Sequence, residues 1–259
     1  MKKRLPLITT IFLVIIILII AKREHYPSKI LSKIQRTFAV TGAIDNNYCL
    51  NASDTIIYER LKYRWVKVNC NADFAPRDGA GALVYKDSMW LIGGWNPSDK
   101  INFPLICNNE VWNSKNGRNW NLVKKNSFID NSFNSSNDWE GRHTAGYVIF
   151  KNKMWIIGGD ANQGRYQYDI WNSENGRKWN LVTDSVPWGP RVLHYTVVFK
   201  DKIWLMGGQT VPQFAEAEEI FYSDVWNTED GINWEKVEAS KNKWLPRGLI
   251  GGSAIFKDR

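Results

Sequence analysis

One pattern recurs three times beyond residue 60 and limits the fold more than any other feature of the chain. Its first half is an arginine, twelve residues, a tryptophan, two apolar residues and a Gly-Gly pair. It occurs as Arg77 to Trp90 and Gly93-Gly94, as Arg142 to Trp155 and Gly158-Gly159, and as Arg191 to Trp204 and Gly207-Gly208. Between arginine and tryptophan lies an apolar run broken by a short polar turn (Lys86-Asp87, Lys151-Asn152-Lys153, Lys200-Asp201-Lys202), which predicts a β-hairpin. The second half is an acid, a β-branched residue, tryptophan, Asn, Ser or Thr, then Asn-Gly or Asp-Gly and a second tryptophan. It runs from Glu110-Val111-Trp112 to Trp120, from Asp169-Ile170-Trp171 to Trp179 and from Asp224-Val225-Trp226 to Trp234. Asn116-Gly117, Asn175-Gly176 and Asp230-Gly231 accept positive φ at both positions, so a tight two-residue turn is expected at each. Two hairpins per repeat make a four-stranded antiparallel sheet.

Glycine pairs ending the second strand, followed by a tryptophan pair, resemble the kelch repeat. The Asp-Val-Trp-Asn-Thr-x-Asp-Gly-x-x-Trp form at 224–234 is similar to bacterial kelch-type proteins related to the central domain of galactose oxidase. The resemblance covers residues 56–259. It implies an all-β fold, a kelch-like β-propeller of four-stranded antiparallel blades, here about three blades plus partial strands. Trp65-Val66-Lys67-Val68 reads as an isolated last strand of the kind that closes such a ring. Arg247 opens a fourth copy whose tryptophan falls due at position 260. Propellers need about four to eight blades. The chain is therefore expected to be the N-terminal portion of a longer propeller, with association of partial rings as the alternative.

The N-terminus is of another kind. Lys2, Lys3 and Arg4 precede an apolar run from Leu5 to Ala21, closed by Lys22, Arg23 and Glu24. The run is at the short end for a membrane-spanning helix and lacks small residues at a cleavage position. Residues 1–22 are thus expected to form a signal-anchor transmembrane helix and 23–55 a juxtamembrane linker, with the 56–259 domain outside the cytoplasm, at the periplasm or cell surface. Secretion after signal cleavage is the alternative. This segment also accounts for the net charge of +8: residues 1–36 hold eight bases and one acid, while the remainder has 26 bases and 25 acids. A nearly neutral folded part excludes a basic nucleic-acid-binding face. Cys49, Cys70 and Cys107 allow one internal disulfide at most; Cys49–Cys70 is the nearer pair, and free thiols are the alternative.

Ten of the 14 tryptophans occupy repeat positions (Trp65, Trp90, Trp112, Trp120, Trp155, Trp171, Trp179, Trp204, Trp226 and Trp234) and are expected in the core. The other four, Trp95, Trp139, Trp188 and Trp244, fall in connections between strands. Strand alternation gathers the long connections on one face, together with Phe103, Arg165, Tyr166, Tyr168, Phe214, Tyr222, Glu216, Glu218 and Glu219. Trp95, Trp139, Arg165, Trp188 and Trp244 are the ligand-binding candidates there, because exposed aromatics beside polar groups suit glycan or protein ligands. The alternative is that these aromatics fold down over the sheet ends. Arg77, Arg142, Arg191 and Arg247 are expected to pair with the acids that head the third strands, and a carboxylate ligand is the alternative partner.

Catalytic residues are not evident. A galactose-oxidase-like copper site needs two His and two Tyr, one Tyr joined to a Cys, and His25, His143 and His194 do not assemble one. No metal ligands or cofactor are assigned. The expected function is a membrane-anchored, extracytoplasmic kelch-repeat module that binds protein or glycan through its long-loop face. The alternative is the N-terminal part of a propeller enzyme acting on sugars, either a galactose-oxidase-like oxidase or a sialic acid mutarotase-like enzyme.

Overall fold

A computed structural model describes residues 57–58, 63–64, 67–161, 165–210, 219–238, 244–248, 255 and 257. The chain divides into two compact units, 1–66 and 67–259. In the first, β1 (Ile57–Tyr58) pairs antiparallel with β2 (Tyr63–Arg64). The expected signal-anchor and the linker lie outside the described residues. Among the described residues no helix is long and apolar enough to cross a membrane.

Among its described residues the second unit is all-β, with three four-stranded antiparallel sheets, each a simple meander. The first contains β3 (Gly81–Tyr85), β4 (Ser88–Ile92), β5 (Val111–Ser114) and β6 (Asn121–Lys124). The second contains β7 (Gly146–Phe150), β8 (Lys153–Ile157), β9 (Ile170–Ser173) and β10 (Asn180–Thr183). The third contains β11 (Tyr195–Phe199), β12 (Lys202–Met206), β13 (Val225–Thr228) and β14 (Glu235–Lys236). Each sheet therefore matches one copy of the sequence repeat. The expected strand at Trp65–Val68 is not supported where it can be seen: Lys67 and Val68 belong to no strand, and Trp65 and Val66 lie outside the described residues. Instead, the Val68 carbonyl accepts a bond from Arg118 Nε at 3.3 Å, and Asn69 Nδ2 donates to the Arg118 carbonyl at 2.6 Å.

The tight turns are not where the Asn-Gly pairs suggest. Positive φ at both turn positions occurs in the first hairpin of each sheet, at Lys86-Asp87 (47° and 55°), Lys151-Asn152 (47° and 54°) and Lys200-Asp201 (49° and 55°). Ladder pairs such as Tyr85–Ser88 leave only two residues to connect the strands, and the mirror-image turn matches the strand twist. Non-glycine residues are forced into it. At the Asn-Gly pairs only the glycine is left-handed, at 70° for Gly117, 72° for Gly176 and 82° for Gly231.

Those glycines sit in six-residue loops whose polar residues act as internal clasps. Ser114, Ser173 and Thr228 hydroxyls accept from the N–H groups of Gly117, Gly176 and Gly231 at 2.9, 2.8 and 2.9 Å. Asn116 Oδ1 accepts from Arg118 and Asn119, Asn175 Oδ1 from Arg177 and Lys178, and Asp230 Oδ1 from Ile232 and Asn233. The second tryptophan of each repeat closes its loop by donating Nε1 to that glycine's carbonyl. Side-chain bonding of this kind is why Ser/Thr and Asn/Asp recur there.

The sheets join through their tryptophans. β7 lies between β3 and β11, and a Cβ at Gly81 or Gly146 would overlap Tyr147 or Thr196, so the first strands approach closely. One core cluster joins Tyr85, Trp90 and Ile92 of the first sheet to Met154, Ile156, Trp171 and Trp179 of the second. The next repeats this arrangement, joining Val148, Phe150, Trp155 and Ile157 to Ile203, Leu205 and Trp234. A Cβ at Gly176 would overlap the Trp90 ring, and one at Gly231 the Trp155 ring. The glycines of the second and third clasped loops are thus the seats for the tryptophan of the preceding sheet, whereas Gly117 faces Met89 and Val68. A buried indole removes roughly 150–250 Å² from water. At about 25 cal/mol per Å² that is worth some 4–6 kcal/mol before ordering costs.

Candidate functional site

Arg77, Arg142 and Arg191 form a repeated polar module that fastens each sheet at the end away from the tight hairpins. Arg77 Nη2 meets Glu110 Oε2 at 2.7 Å. Arg142 forks onto Asp169 at 2.5 and 3.1 Å, and Arg191 onto Asp224 at 2.6 and 3.1 Å. Each guanidinium also donates to the carbonyl of the first glycine of its Gly-Gly pair, at 3.0–3.1 Å. The carboxylates in turn accept Nε1–H from Trp112, Trp171 and Trp226 at 2.9, 2.7 and 2.8 Å. Burial raises the Asp169 and Asp224 carboxyls, but the arginines and indole donors outweigh it and leave both below the ordinary carboxylate value. Because Arg142 and Arg191 are fully enclosed and their forks engaged, the alternative of a carboxylate ligand on these groups is not favoured.

Two ligand-binding candidates require correction. Trp139 and Trp188 are buried, 0% and 2% exposed, and pack edge-to-face on Trp179 and Trp234 at 5.7 and 6.0 Å. They belong to the core clusters and cap the sheet ends. A signal for this is present in the sequence: each repeat arginine follows an aromatic by three residues, as Phe74-Ala75-Pro76-Arg77, Trp139-Glu140-Gly141-Arg142, Trp188-Gly189-Pro190-Arg191 and Trp244-Leu245-Pro246-Arg247. Phe74 packs on Trp120 at 5.2 Å as Trp139 does on Trp179. Arg77, Arg142 and Arg191 lie over Phe74, Trp139 and Trp188 at 5.6–5.9 Å, a cation–π contact. These aromatics are repeat positions and not loop decoration.

Trp95 is half-buried, stacked on His143 at 5.7 Å and bridged to Asp78 and Cys107. His143 Nδ1 lies 2.9 Å from the Asp160 carbonyl and 3.4 Å from Cys107 Sγ. Cys107 is free, and burial pushes its thiol well above the usual range. Cys70 is disulfide-bonded, and Cys49 lies outside the described residues. His194 is buried against Trp188, and burial beside Arg191 holds its imidazole neutral, with the pKa pushed down to about 3. Among the described residues no group of three His, Cys, Asp or Glu side chains is arranged to hold a metal ion.

Arg165, Tyr166 and Tyr168 do come together, in an open groove of about 600 Å³ beneath the long loop that follows β6. Arg165 is exposed and pairs with Glu140 at 2.5 Å, Gln167 Nε2 donates to Glu140 Oε2 at 3.2 Å, and Tyr168 is 43% exposed. Ser136 and Asp138 supply the facing wall and continue into a second recess of about 570 Å³ that includes Arg177 and Lys178. The loop is pinned at its base by Asn109, which is fully buried. Its amide donates to the Trp139 carbonyl and Ser127 Oγ at 2.9 Å and accepts from the Ser127 N–H at 2.9 Å. Asp138 accepts from Ser127 Oγ at 2.5 Å and pairs with Lys124 at 2.9 Å. Burial pulls Lys124 below its ordinary value against the opposing pull of Asp138. The groove therefore offers hydroxyls, carboxylates held in ion pairs and one open aromatic face. Phe214, Glu216 and Glu218 lie outside the described residues, and Trp244 lines a separate cavity. No protein-family model matches the chain, and no curated protein matches its sequence significantly.

Proposed function

We propose that this chain is a membrane-anchored, extracytoplasmic kelch-type β-propeller module that binds glycans through its long-loop face. The propeller reading rests on three copies of one repeat, each a four-stranded meander joined to the next through its first strand and its tryptophans. Anchoring rests on the basic-flanked apolar run at 5–21. The observation that carries binding is the convergence of Arg165, Tyr166, Tyr168 and Glu140 with the pinned 124–141 loop around a groove of saccharide size. Sugar hydroxyls suit its carboxylate and amide acceptors, and a sugar's C–H face suits the open ring of Tyr168.

The test is a saccharide array probed with the full chain in detergent micelles. Tyr168→Ala and Glu140→Gln are each expected to weaken retention at least tenfold, about 1.4 kcal/mol. Ile101→Ser, at a site 95% exposed and outside the groove, is expected to leave it unchanged. Retention of no saccharide, or undiminished retention by both groove variants, refutes the proposal.

A further inference from the structure

The third sheet carries half of a joint like the two already described, and we infer that it is a docking surface for a polypeptide segment of defined chemistry. The segment is an extended strand with Asp or Glu two residues before a tryptophan, carried beside an apolar strand. Four observations converge on this surface.

Arg247 is set as its counterparts are. Its N–H bonds the Tyr222 carbonyl and its carbonyl accepts from Gly208 N–H, both at 2.9 Å, as the Arg142 carbonyl accepts from Gly94 N–H at 2.8 Å. Its Nε donates to the Leu245 carbonyl at 3.0 Å, the bond Arg77 makes to Ala75 and Arg142 to Glu140. Yet among the described residues no carboxylate is paired with Arg247, whereas Arg77, Arg142 and Arg191 each hold one.

Trp244 is 41% exposed, where Trp139 and Trp188 are enclosed. A cavity of about 250 Å³ opens between Trp244, Arg247, Tyr195 and Met206. Finally, Val197, Phe199, Trp204 and Met206 are only half-buried, while Val148, Phe150, Trp155 and Ile157 at the same register are sealed beneath the third sheet. What seals those four is known residue by residue: the second strand of the next repeat, through Ile203 and Leu205, and its tryptophans Trp226 and Trp234. A segment with the same pattern covers the apolar face and delivers its acid to the Arg247 fork. That completes the fork already seen at Arg142–Asp169 and Arg191–Asp224.

The probe is a synthetic peptide copying residues 202–238 of this chain, which holds all these features, titrated against the full chain in detergent micelles by fluorescence anisotropy. Saturable binding is expected, weakened at least tenfold by Asp224→Asn in the peptide and likewise by Arg247→Met in the chain. The two changes together should cost no more than either alone. Arg247→Glu should lose the native peptide and regain binding to one carrying Asp224→Arg. Tryptophan fluorescence of the chain variants, unchanged from the parent, confirms that the surface is intact. Absence of saturable binding overturns the inference. So does equal binding by the peptide carrying Asp224→Asn, or additive effects of the two changes.

Discussion

The glycine seats allow the packing between sheets to be weighed against backbone strain. Gly176 has φ of 72°, and a Cβ there would overlap the six-membered ring of Trp90. Gly189 has φ of 78°, but the nearest atom to its Cβ position, Tyr222 Oη, is 4.0 Å away. Alanine at Gly189 therefore meets only the left-handed penalty, about 1–2 kcal/mol, less some 0.4–1 kcal/mol from a stiffer unfolded chain. A net loss near 1 kcal/mol is expected. At Gly176 the same change also forces the indole off its seat, and overpacking a filled site adds about 1–3 kcal/mol, for a total of about 2–4 kcal/mol. Urea unfolding of the full chain, followed by tryptophan fluorescence with a constant m value, reads both. In a Trp90→Leu background the cost of Gly176→Ala should fall towards that of Gly189→Ala, giving a coupling of about 1–3 kcal/mol. Equal losses at Gly176 and Gly189, or strict additivity with Trp90→Leu, would show that the glycine serves only its backbone angle.

Three further outcomes follow from the buried polar groups. Arg142→Met strands the Asp169 carboxylate, and a loss of about 3–5 kcal/mol is expected in the same urea assay; a loss below about 1 kcal/mol would mean that the pair does not hold the sheet. His194 has its folded pKa depressed to about 3, so the unfolded chain takes up a proton below its ordinary value of 6.5 while the folded chain does not. Stability should be flat in this respect above pH 6.5 and fall as pH drops towards 3, by up to about 1.4 kcal/mol per pH unit. Asp169 and Asp224, with lowered values, contribute fully above the ordinary carboxylate range and lose that contribution only below about pH 4. A His194→Leu chain should therefore flatten the urea midpoint between pH 6.5 and about 4.5, and an unaltered slope would rule His194 out. Cys107, buried with a raised thiol pKa, should resist iodoacetamide in the native chain and react on unfolding, as peptide mass spectrometry will report. Native labelling at the rate of an exposed thiol would contradict its placement.

What spacing alone determined was the count and extent of the sheets. The interval from arginine to tryptophan to Gly-Gly delimits the first hairpin, and the tryptophan pair delimits the second. Strand alternation is a local property, and the burial of Trp90, Trp155 and Trp171 follows from it. The choice of partner for Arg77, Arg142 and Arg191 was legible too, because arginine and acid recur together and a buried guanidinium requires a carboxylate. Arg165, Tyr166 and Tyr168 could be assigned to one face by counting strands. Their union with Glu140 could not, since Glu140 comes from the preceding connection, 25 residues away in sequence from Arg165.

Tertiary structure decided the rest. The Asn-Gly and Asp-Gly pairs favour a tight turn in isolation, but Ser or Thr and Asn or Asp side chains clasp a wider loop at all three, Gly117 included; what tertiary structure adds is the seating of Trp90 and Trp155 over Gly176 and Gly231. The mirror-image turns fall instead on Lys-Asp and Lys-Asn, where ladder register leaves two residues and no choice of handedness. Trp139 and Trp188 lie in connections and are among the most buried side chains of the chain, because a large aromatic finds its water-free site on whichever surface a distant segment presents. Trp244 has the same place in the repeat and remains 41% exposed, for no fourth sheet surface is packed against it among the described residues. The same repeat position thus ends in different burial, since burial belongs to the neighbour as much as to the residue.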